Sequence, residues 1–296
     1  MTGTLRWSSA PPGWRRVTGW LLAPGPVARV AWLRVLGYLF VPVDVLLTTP
    51  WVAAHAAVPV SLYEPLRLAR LLHLPAPGPW VELLRWALVA GALACAFAAA
   101  RDRLPAAAGW LVAVAYLEWM LVGFSYGKVD HDRFGFLVLL FVLPTVGRAG
   151  LRDRRDTEAA GWALRTTALA VVATYTLSAL AKLRFGGLDW VDGATLSRAV
   201  VRRGTPLATP LLDHAWVLHV FQYVLMGVEL CVAPLLLVRW RRPQLTWVLT
   251  TGFLGFHLMT FATISIIFLP HCVALLALLP LERLPELRRR RVPVSP

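Results

Sequence analysis

Long apolar runs constrain this chain more than any other feature of its sequence. Leu, Val and Ala are massed into continuous stretches, and a helix needs about 20 mostly apolar residues to cross a bilayer. Of the 296 residues, 58% are hydrophobic and 16% are charged, whereas soluble domains have about 25% charged residues. The sequence therefore predicts an all-α, polytopic integral membrane protein, a helical bundle with no large soluble domain.

About eight transmembrane helices can be drawn by the spanning-length rule. They cover residues 31–49, 81–99, 107–124, 134–146, 162–181, 215–238, 245–261 and 263–279. The fourth segment is short, and the last two share one apolar run with little room for a turn. Either could be tilted or re-entrant.

The distribution of arginine predicts the orientation in the cell membrane. With the N-terminus in the cytoplasm, every inside segment is rich in arginine, while the outside segments carry acidic residues as well, as the positive-inside rule requires. Both termini are therefore expected to be cytoplasmic. The net charge of +14 is explained by these flanking arginines, and no basic stripe interleaved with aromatic residues indicates nucleic acid.

No linker, repeat or low-complexity tract divides the chain, so 1–296 is interpreted as a single transmembrane domain. Its core covers about 27–281, between a cytoplasmic N-terminal arm (1–26) and a basic C-terminal tail (282–296). The three cysteines lack a C-x-x-C spacing, which argues against a disulfide-generating quinone reductase and favours small buried residues. The scattered histidines show no metal-ligand spacing, so no metal is expected.

Lysine is the rarest cation in this chain and draws attention to Lys182. There are 28 arginines and two lysines, Lys128 and Lys182, and a neutral amine is something that lysine can supply and arginine cannot. Lys182 ends the fifth predicted helix, where Tyr175 and Ser178 share its face. Two interpretations stay open: a lysine that extends its ammonium to the membrane surface, or a functional base.

Two histidines lie at or within apolar segments. His131 stands with Lys128 at the outer mouth of the fourth predicted helix, where a solvated loop histidine is the simpler interpretation. His257 lies deep in an apolar helix, and a polar residue at that depth is costly. It either bonds a neighbouring helix or serves a functional site.

Several further polar residues fall inside apolar runs. Glu229 and Gln222 are seven residues apart on one face of the sixth predicted helix and could line the same cavity as His257. Arg34 is expected to pair structurally with a membrane acid, the candidates being Asp44, Glu118 and Glu229. These residues predict a polar cavity toward the outer side, but they do not name its ligand.

Four segments resemble the membrane domain of vitamin K-dependent γ-glutamyl carboxylase and the wider HTTM (horizontally transferred transmembrane) family. They are YTLSALAKLRFGGLDWVDGATLSR with its lysine-leucine pair and D-W-x-x-G element, VAWLRVLGYL, HDRFGFLVLL and GFLGFHLMTF. The order of these segments matches the family over about 27–281.

The resemblance implies particular roles. Lys182 corresponds to the base that deprotonates a reduced quinone, which is menaquinone or vitamin K hydroquinone, with O2 and CO2 as co-substrates. His131 and His257 correspond to residues that place the quinone or polarise developing anions. Trp190, in the D-W-x-x-G element, is expected beside the quinone with Lys128, Tyr175 and Ser178. The implied activity is a carboxylase or epoxidase-like lyase.

One departure from the family bears on the substrate. The full carboxylases carry a large lumenal portion after the membrane region, whereas this sequence stops at Pro296. This departure argues against protein-glutamate carboxylation and leaves quinol–oxygen chemistry on another substrate. The expected partners are lipid and quinone, with a peptide or protein substrate on the outer side as one further interpretation. The alternatives are a non-catalytic membrane module, either a peptide or toxin maturation partner or a scaffold that binds quinone or lipid, and a small transporter, against which the lack of an inverted repeat argues.

Overall fold

A computed structural model describes residues 12–127, 129–232 and 243–284. The structure is 78% helix and 2% strand, which confirms the helical prediction. Six stretches are long and apolar enough to cross a membrane: Val27–Thr48, Trp80–Ala100, Ala106–Phe124, Glu158–Gly186, Thr209–Leu230 and Gln244–Ile264. A multi-pass membrane protein is therefore supported, while the count of eight spans stays a prediction.

Thirteen helices are named here in chain order within the described ranges. They are α1 (Pro12–Leu22), α2 (Val27–Val43), α3 (Trp51–Ala54), α4 (Arg67–Leu71), α5 (Trp80–Ala100), α6 (Ala106–Phe124), α7 (Phe134–Val142), α8 (Glu158–Gly186), α9 (Asp189–Asp192), α10 (Thr195–Arg203), α11 (Ala215–Leu230), α12 (Pro243–Ile264) and α13 (Leu269–Leu275). A π-helical turn, Asp44–Thr48, continues α2. Short 3-10 turns cover His55–Ala57, Val60–Leu62, His131–Arg133, Leu143–Val146, Thr209–His214, Leu276–Leu278 and Leu281–Arg283. The two-residue strands Gly25–Pro26 and Asp156–Thr157 pair antiparallel.

Helix α2 lies in the core and packs along α5, because it is apolar around most of its circumference. The sequence predicts that the buried Arg34 of α2 pairs with an acid, and this prediction is wrong. Instead, the Arg34 guanidinium donates to the carbonyl oxygens of Leu143 at 2.8 Å and Gly147 at 2.7 Å. These carbonyls lie at the start of the 3-10 turn that follows α7 and just past its end, where a helix has no intrahelical donors left. Arg34 therefore caps a neighbouring helix end.

An ion pair joins α2 to the end of the described chain. Arg29 contacts Glu282 through two parallel hydrogen bonds of 2.8 Å, from Nε and from Nη2. Both side chains are largely buried. A forked contact of this kind is the strongest form of arginine–carboxylate pairing, so it fixes the turn after α13 against the start of α2.

Two apolar helices, α7 and α13, are too short to span the bilayer alone. Helix α7 has 9 residues and α13 has 7, and they pack against each other and against α8. The non-helical residues 265–268 separate α12 from α13. They lie inside the last predicted span, 263–279, whereas the expected turn at residue 262 is part of α12. Irregular backbone at membrane depth is tolerated where it lines a cavity, and this segment does so, as described below.

Helix α8 is the longest element, with 29 residues. At 1.5 Å per residue it is about 44 Å long, whereas the hydrocarbon core is about 30 Å thick. Thr157 caps its start by accepting a hydrogen bond from the Ala160 amide. Gly187, with φ 62°, ends it in a left-handed conformation that glycine adopts without strain. Lys182 therefore lies in the last turns, near one end of the span.

Some predictions fall outside the described ranges. These concern Lys128, residues 1–11 of the N-terminal arm, residues 233–238 of the sixth predicted span and the arginines of the C-terminal tail after residue 284. The rest of the arm contains α1, with an exposed Trp14. Among the cysteines, Cys95 is buried as expected, whereas Cys231 is exposed and Cys272 is half-buried.

Candidate functional site

A cavity of about 250 Å³ lies between α8, α11, α12 and the start of α13. Its walls are largely apolar and include Phe256 and Phe268. Most of the sequence-predicted residues line it, namely His131, Tyr175, Ser178, Lys182, Trp190, Glu229 and His257. Residues far apart in the sequence thus meet at one place, which is called the inner cavity below.

Lys182 on α8 forms an ion pair with Glu229 on α11. Its Nζ lies 2.5 Å from Oε1 and 2.6 Å from Oε2 of the carboxylate. The Glu229 side chain is 9% exposed and that of Lys182 is 22% exposed, so the pair is mostly shielded from solvent. Trp190 lies beside it, with its ring centroid 4.9 Å from Nζ. Lys182 is therefore held inside the cavity by a carboxylate and an indole ring, which is not the geometry of a lysine extended to the membrane surface.

His257 on α12 is hydrogen-bonded to Tyr175 on α8. The Tyr175 hydroxyl lies 2.6 Å from Nε2 of the imidazole, and both side chains are buried. No other acceptor for this hydroxyl is recorded among the described residues, so Tyr175 donates and Nε2 accepts. Nδ1 then carries the ring hydrogen, and it has no hydrogen-bond partner within the described part of the chain. His257 thus bonds a neighbouring helix and lines the cavity, and the two interpretations from sequence are compatible.

His271 on α13 belongs to the same cluster, and sequence reasoning missed it. It is 1% exposed, and its ring centroid lies 5.3 Å from that of His257 and 4.7 Å from that of Tyr175. Neither ring nitrogen has a hydrogen-bond partner among the described residues. A buried polar atom left unpaired costs about 1–3 kcal/mol. The signal in the sequence was a histidine directly after Pro270 in an otherwise apolar run, comparable to that of His257.

Gln222 does not line the inner cavity, contrary to the expectation from its helix face. Its Nε2 donates to the carbonyl oxygens of Val191 at 2.6 Å and Gly193 at 2.9 Å, and its Oε1 accepts from the Leu196 amide at 2.6 Å. It is 1% exposed. Gln222 therefore holds the turn between α9 and α10, and this turn positions Trp190 at the cavity.

A second, outer cavity of about 630 Å³ adjoins the first. Four residues line both cavities: His131, Asp132, Ile266 and Phe268. The outer cavity reaches the protein surface, because Val129 in its wall is 56% exposed and Ile267 is 44% exposed. The shared residues come from the turn before α7 and from the non-helical segment before α13, so the two short helices place the wall between the cavities.

A buried charge network supports this wall. Arg133 lies 3.4 Å from Asp44 and 3.2 Å from Asp132, and Tyr116 donates to Asp44 at 2.7 Å. Asp132 is 5% exposed. Burial raises the pKa of Asp132 from 3.8 to about 6, although the Arg133 guanidinium acts in the opposite direction. Asp132 can therefore exchange its proton near neutral pH.

Comparisons with known proteins add no relative. No family model matches the chain, and no curated protein or solved structure does so either. Within the described ranges, no group of three or more His, Cys, Asp or Glu side chains could hold a metal ion. The geometry of the two cavities is thus the main evidence about function.

Proposed function

We propose that this protein is an enzyme of the cell membrane that deprotonates a reduced quinone with Lys182 and so performs quinol-dependent carboxylase or epoxidase-like chemistry. The observation that carries the proposal is the meeting of Lys182, His131 and His257 at one apolar cavity. The family resemblance gives these three residues their roles. In this proposal both termini are cytoplasmic and the cavity lies toward the outer side.

The residues around the inner cavity fit a flat ring that carries polar oxygens. Ligand sites are mostly apolar with a few placed polar groups, and here aromatic walls alternate with histidine and lysine side chains. The unpaired nitrogens of His257 and His271 match a ligand that brings hydrogen-bonding oxygens of its own. When bound, a reduced quinone supplies the hydroxyl to be deprotonated and, with O2, a base strong enough to activate a carbon for addition to CO2.

A lysine that acts as a base must first give up its own proton, and Glu229 is the acceptor proposed for it. Lys182 can accept a proton at Nζ only in its neutral form. The carboxylate oxygens, at 2.5 and 2.6 Å from Nζ, are close enough to take that proton directly. Glu229 is therefore assigned as the proton acceptor that prepares Lys182, with Tyr175 and Ser178 on the same face of α8.

In this proposal Tyr175, His257 and His131 position the ligand and polarise its oxygen atoms. Tyr175 fixes the ring of His257 through the 2.6 Å hydrogen bond, so that the Nδ1 hydrogen is available to an oxygen of the ligand. His131, at the wall toward the outer cavity, is placed where a second reactant enters. A peptide or protein substrate from the outer side, or a lipid, is the partner class that the outer cavity suits.

The decisive experiment compares wild type with Lys182→Arg. Oxygen uptake and epoxide formation are measured in purified protein supplied with reduced menaquinone. Arginine keeps the charge but is not deprotonated in proteins, so we expect a loss of about 10²–10⁴-fold, the usual contribution of a positioned acid or base. Equal rates in an active wild type and in Lys182→Arg would exclude the base role.

Two matched controls accompany this variant. Arg184→Lys is the reverse substitution, at an exposed position two residues after Lys182 on α8. It should leave the rate unchanged. Lys128→Arg repeats the substitution at the second lysine of the chain and should have a mild effect. A similar loss in Arg184→Lys would point to general damage to this end of α8.

The second candidate is a non-catalytic scaffold that binds quinone or lipid, or that assists peptide maturation. The observation in its favour is that Lys182 is held by both carboxylate oxygens of Glu229 and by Trp190, as in a structural ion pair. Mass spectrometry of molecules that co-purify in mild detergent separates the two candidates. Stoichiometric menaquinone together with quinol-dependent turnover supports the enzyme, whereas bound lipid or quinone without turnover supports the scaffold.

A further inference from the structure

Asp132 is a buried carboxyl that faces both cavities, and the function proposed above leaves it unused. It lines the inner cavity that holds Lys182 and the outer cavity that reaches the surface. The other titratable residue shared by the two cavities is His131, which is exposed. Asp132 is thus the buried proton-carrying group in the wall between the two cavities.

We propose that Asp132 carries protons between the inner cavity and water in the outer cavity. The inference rests on the proposed function and extends it, because a proton taken up at Lys182 must leave the site before the next turnover. In each passage the Asp132 carboxylate gains a proton on the inner side and then gives it to water on the outer side. The carboxylate is restored, and no other bond changes.

The surroundings of Asp132 leave its proton exchangeable. Arg133 shares its guanidinium with Asp44, and its contacts to the two Asp132 oxygens are 3.2 and 3.5 Å. Strong charge-assisted hydrogen bonds are about 2.7–2.9 Å, so Arg133 does not hold Asp132 firmly in its charged form. Asp44 lies 3.4 Å from the same guanidinium and accepts a further hydrogen bond from Tyr116 at 2.7 Å, so Arg133 is shared between two buried acids.

Other ionisable groups also surround Asp132. They are Asp130, His131 and Arg133 on its own turn, Asp44 from the end of α2, Tyr116 from α6, and His271 and Cys272 from α13. Asp44 and Asp130 oppose ionisation of Asp132, while Arg133 favours it. Burial has the largest effect and favours the protonated carboxyl. The balance allows both forms near neutral pH, which a proton carrier requires.

Infrared spectroscopy of the full chain in lipid nanodiscs tests the inference directly. A pH-dependent carbonyl stretch of a protonated carboxyl should be visible at pH 5 and should disappear with a midpoint near pH 6, because burial raises the pKa of Asp132 to about that value. Asp132→Asn should lack this band, while the control Asp213→Asn, which alters an exposed acid outside both cavities, should keep it. Protonated Glu229 gives a carbonyl band of its own, so the diagnostic signal is the component that titrates near pH 6. Such a component in Asp132→Asn would overturn the inference.

Access from the outer cavity is tested on a chain that keeps Asp132. After transfer into D2O, the band of the wild type should shift rapidly as the carboxyl exchanges its hydrogen. Val129→Trp fills part of the outer cavity without touching the inner one, so we expect exchange to slow several-fold. Exchange at the wild-type rate in Val129→Trp would contradict a route through the outer cavity, whether or not Asp132→Asn folds.

Turnover separates this inference from the proposed function. If the enzyme is active, Asp132→Asn should lower quinol-dependent oxygen uptake by about 10²-fold or more, and Asp213→Asn, at an exposed acid outside both cavities, should not. Wild-type rates in Asp132→Asn would overturn the inference while the proposed function stands. An inactive wild type would overturn the proposed function, and the infrared band and its exchange would still decide whether Asp132 exchanges protons with the outer cavity.

Discussion

The Tyr175 hydroxyl and the His257 imidazole join α8 to α12 through a hydrogen bond of 2.6 Å at the inner cavity. Both residues are buried, so neither can replace this partner with bulk water. The bond therefore does two things at once. It stabilises the packing of two long helices, and it sets the hydrogen of the imidazole on Nδ1.

Tyr175→Phe should weaken both stability and ligand binding. Removal of the hydroxyl leaves Nε2 of His257 buried without a donor, at a cost of about 1–3 kcal/mol, and frees the imidazole to change its tautomer. We expect a lower thermal midpoint in detergent and about tenfold weaker binding of menaquinone, followed by quenching of tryptophan fluorescence. Tyr223→Phe is the matched control, because Tyr223 is exposed and bonds Asp192 at the surface. Equal effects of the two variants would refute the role of Tyr175.

Glu229→Gln should show whether the carboxylate of the ion pair is needed for proton transfer or only for packing. Glutamine keeps the shape of the side chain but cannot take the proton of Lys182, so the proton transfer between the two side chains is lost. We expect quinol-dependent oxygen uptake to fall by about 10²-fold or more, while menaquinone binding changes little. Gln222→Glu is the reverse substitution on the same helix. Because Gln222 holds the turn after α9, this variant is expected to reduce stability. Full activity in Glu229→Gln would exclude the proton acceptor role.

The pH dependence of stability should report on Asp132. Its pKa in the folded protein, about 6, lies above the ordinary 3.8, so between these values the folded state binds more protons than the unfolded state. The stabilisation is therefore complete below pH 4 and is lost as the pH rises through 6, by up to about 3 kcal/mol. Thermal midpoints between pH 4.5 and 7.5 should decline more steeply in wild type than in Asp132→Asn. Parallel curves would contradict the raised pKa.

Accessibility labelling tests the orientation. In a variant without native cysteines, cysteine at Val129 or Leu188 should react with an impermeant reagent from outside intact cells. Cysteine at Arg152 should react only after the membrane is opened, because the arginine-rich loop before α8 is predicted to be cytoplasmic. The side chains at all three positions are exposed. Labelling of Arg152→Cys in intact cells would reverse the predicted topology.

The sequence predicted the helices better than the contacts between them. Apolar runs locate the spanning segments, and the spacing of Tyr175, Ser178 and Lys182 correctly placed all three on the cavity face of α8. The pairing of Lys182 with Glu229, which are 47 positions apart in the sequence, depends on how α8 and α11 rotate against each other, and periodicity does not contain that information.

Individual polar residues were harder to interpret. The helix face of Gln222 was identified, yet it meets the turn after α9 instead of the cavity, because that turn folds back onto α11. Arg34 was expected to need an acid, whereas two helix-terminal carbonyls satisfy it equally well. His271 was overlooked since one histidine in an apolar run does not reveal which helices surround it.

The ion pair between Arg29 and Glu282 has a consequence for how the protein is made. The two residues are 253 positions apart, so the start of α2 enters the membrane long before its partner has been synthesised. Until Glu282 arrives, Arg29 must be held by water, lipid headgroups or the insertion machinery. The bundle can therefore close only late in translation, and a ribosome stalled before residue 282 would hold a chain whose first long helix is inserted but not yet locked in place.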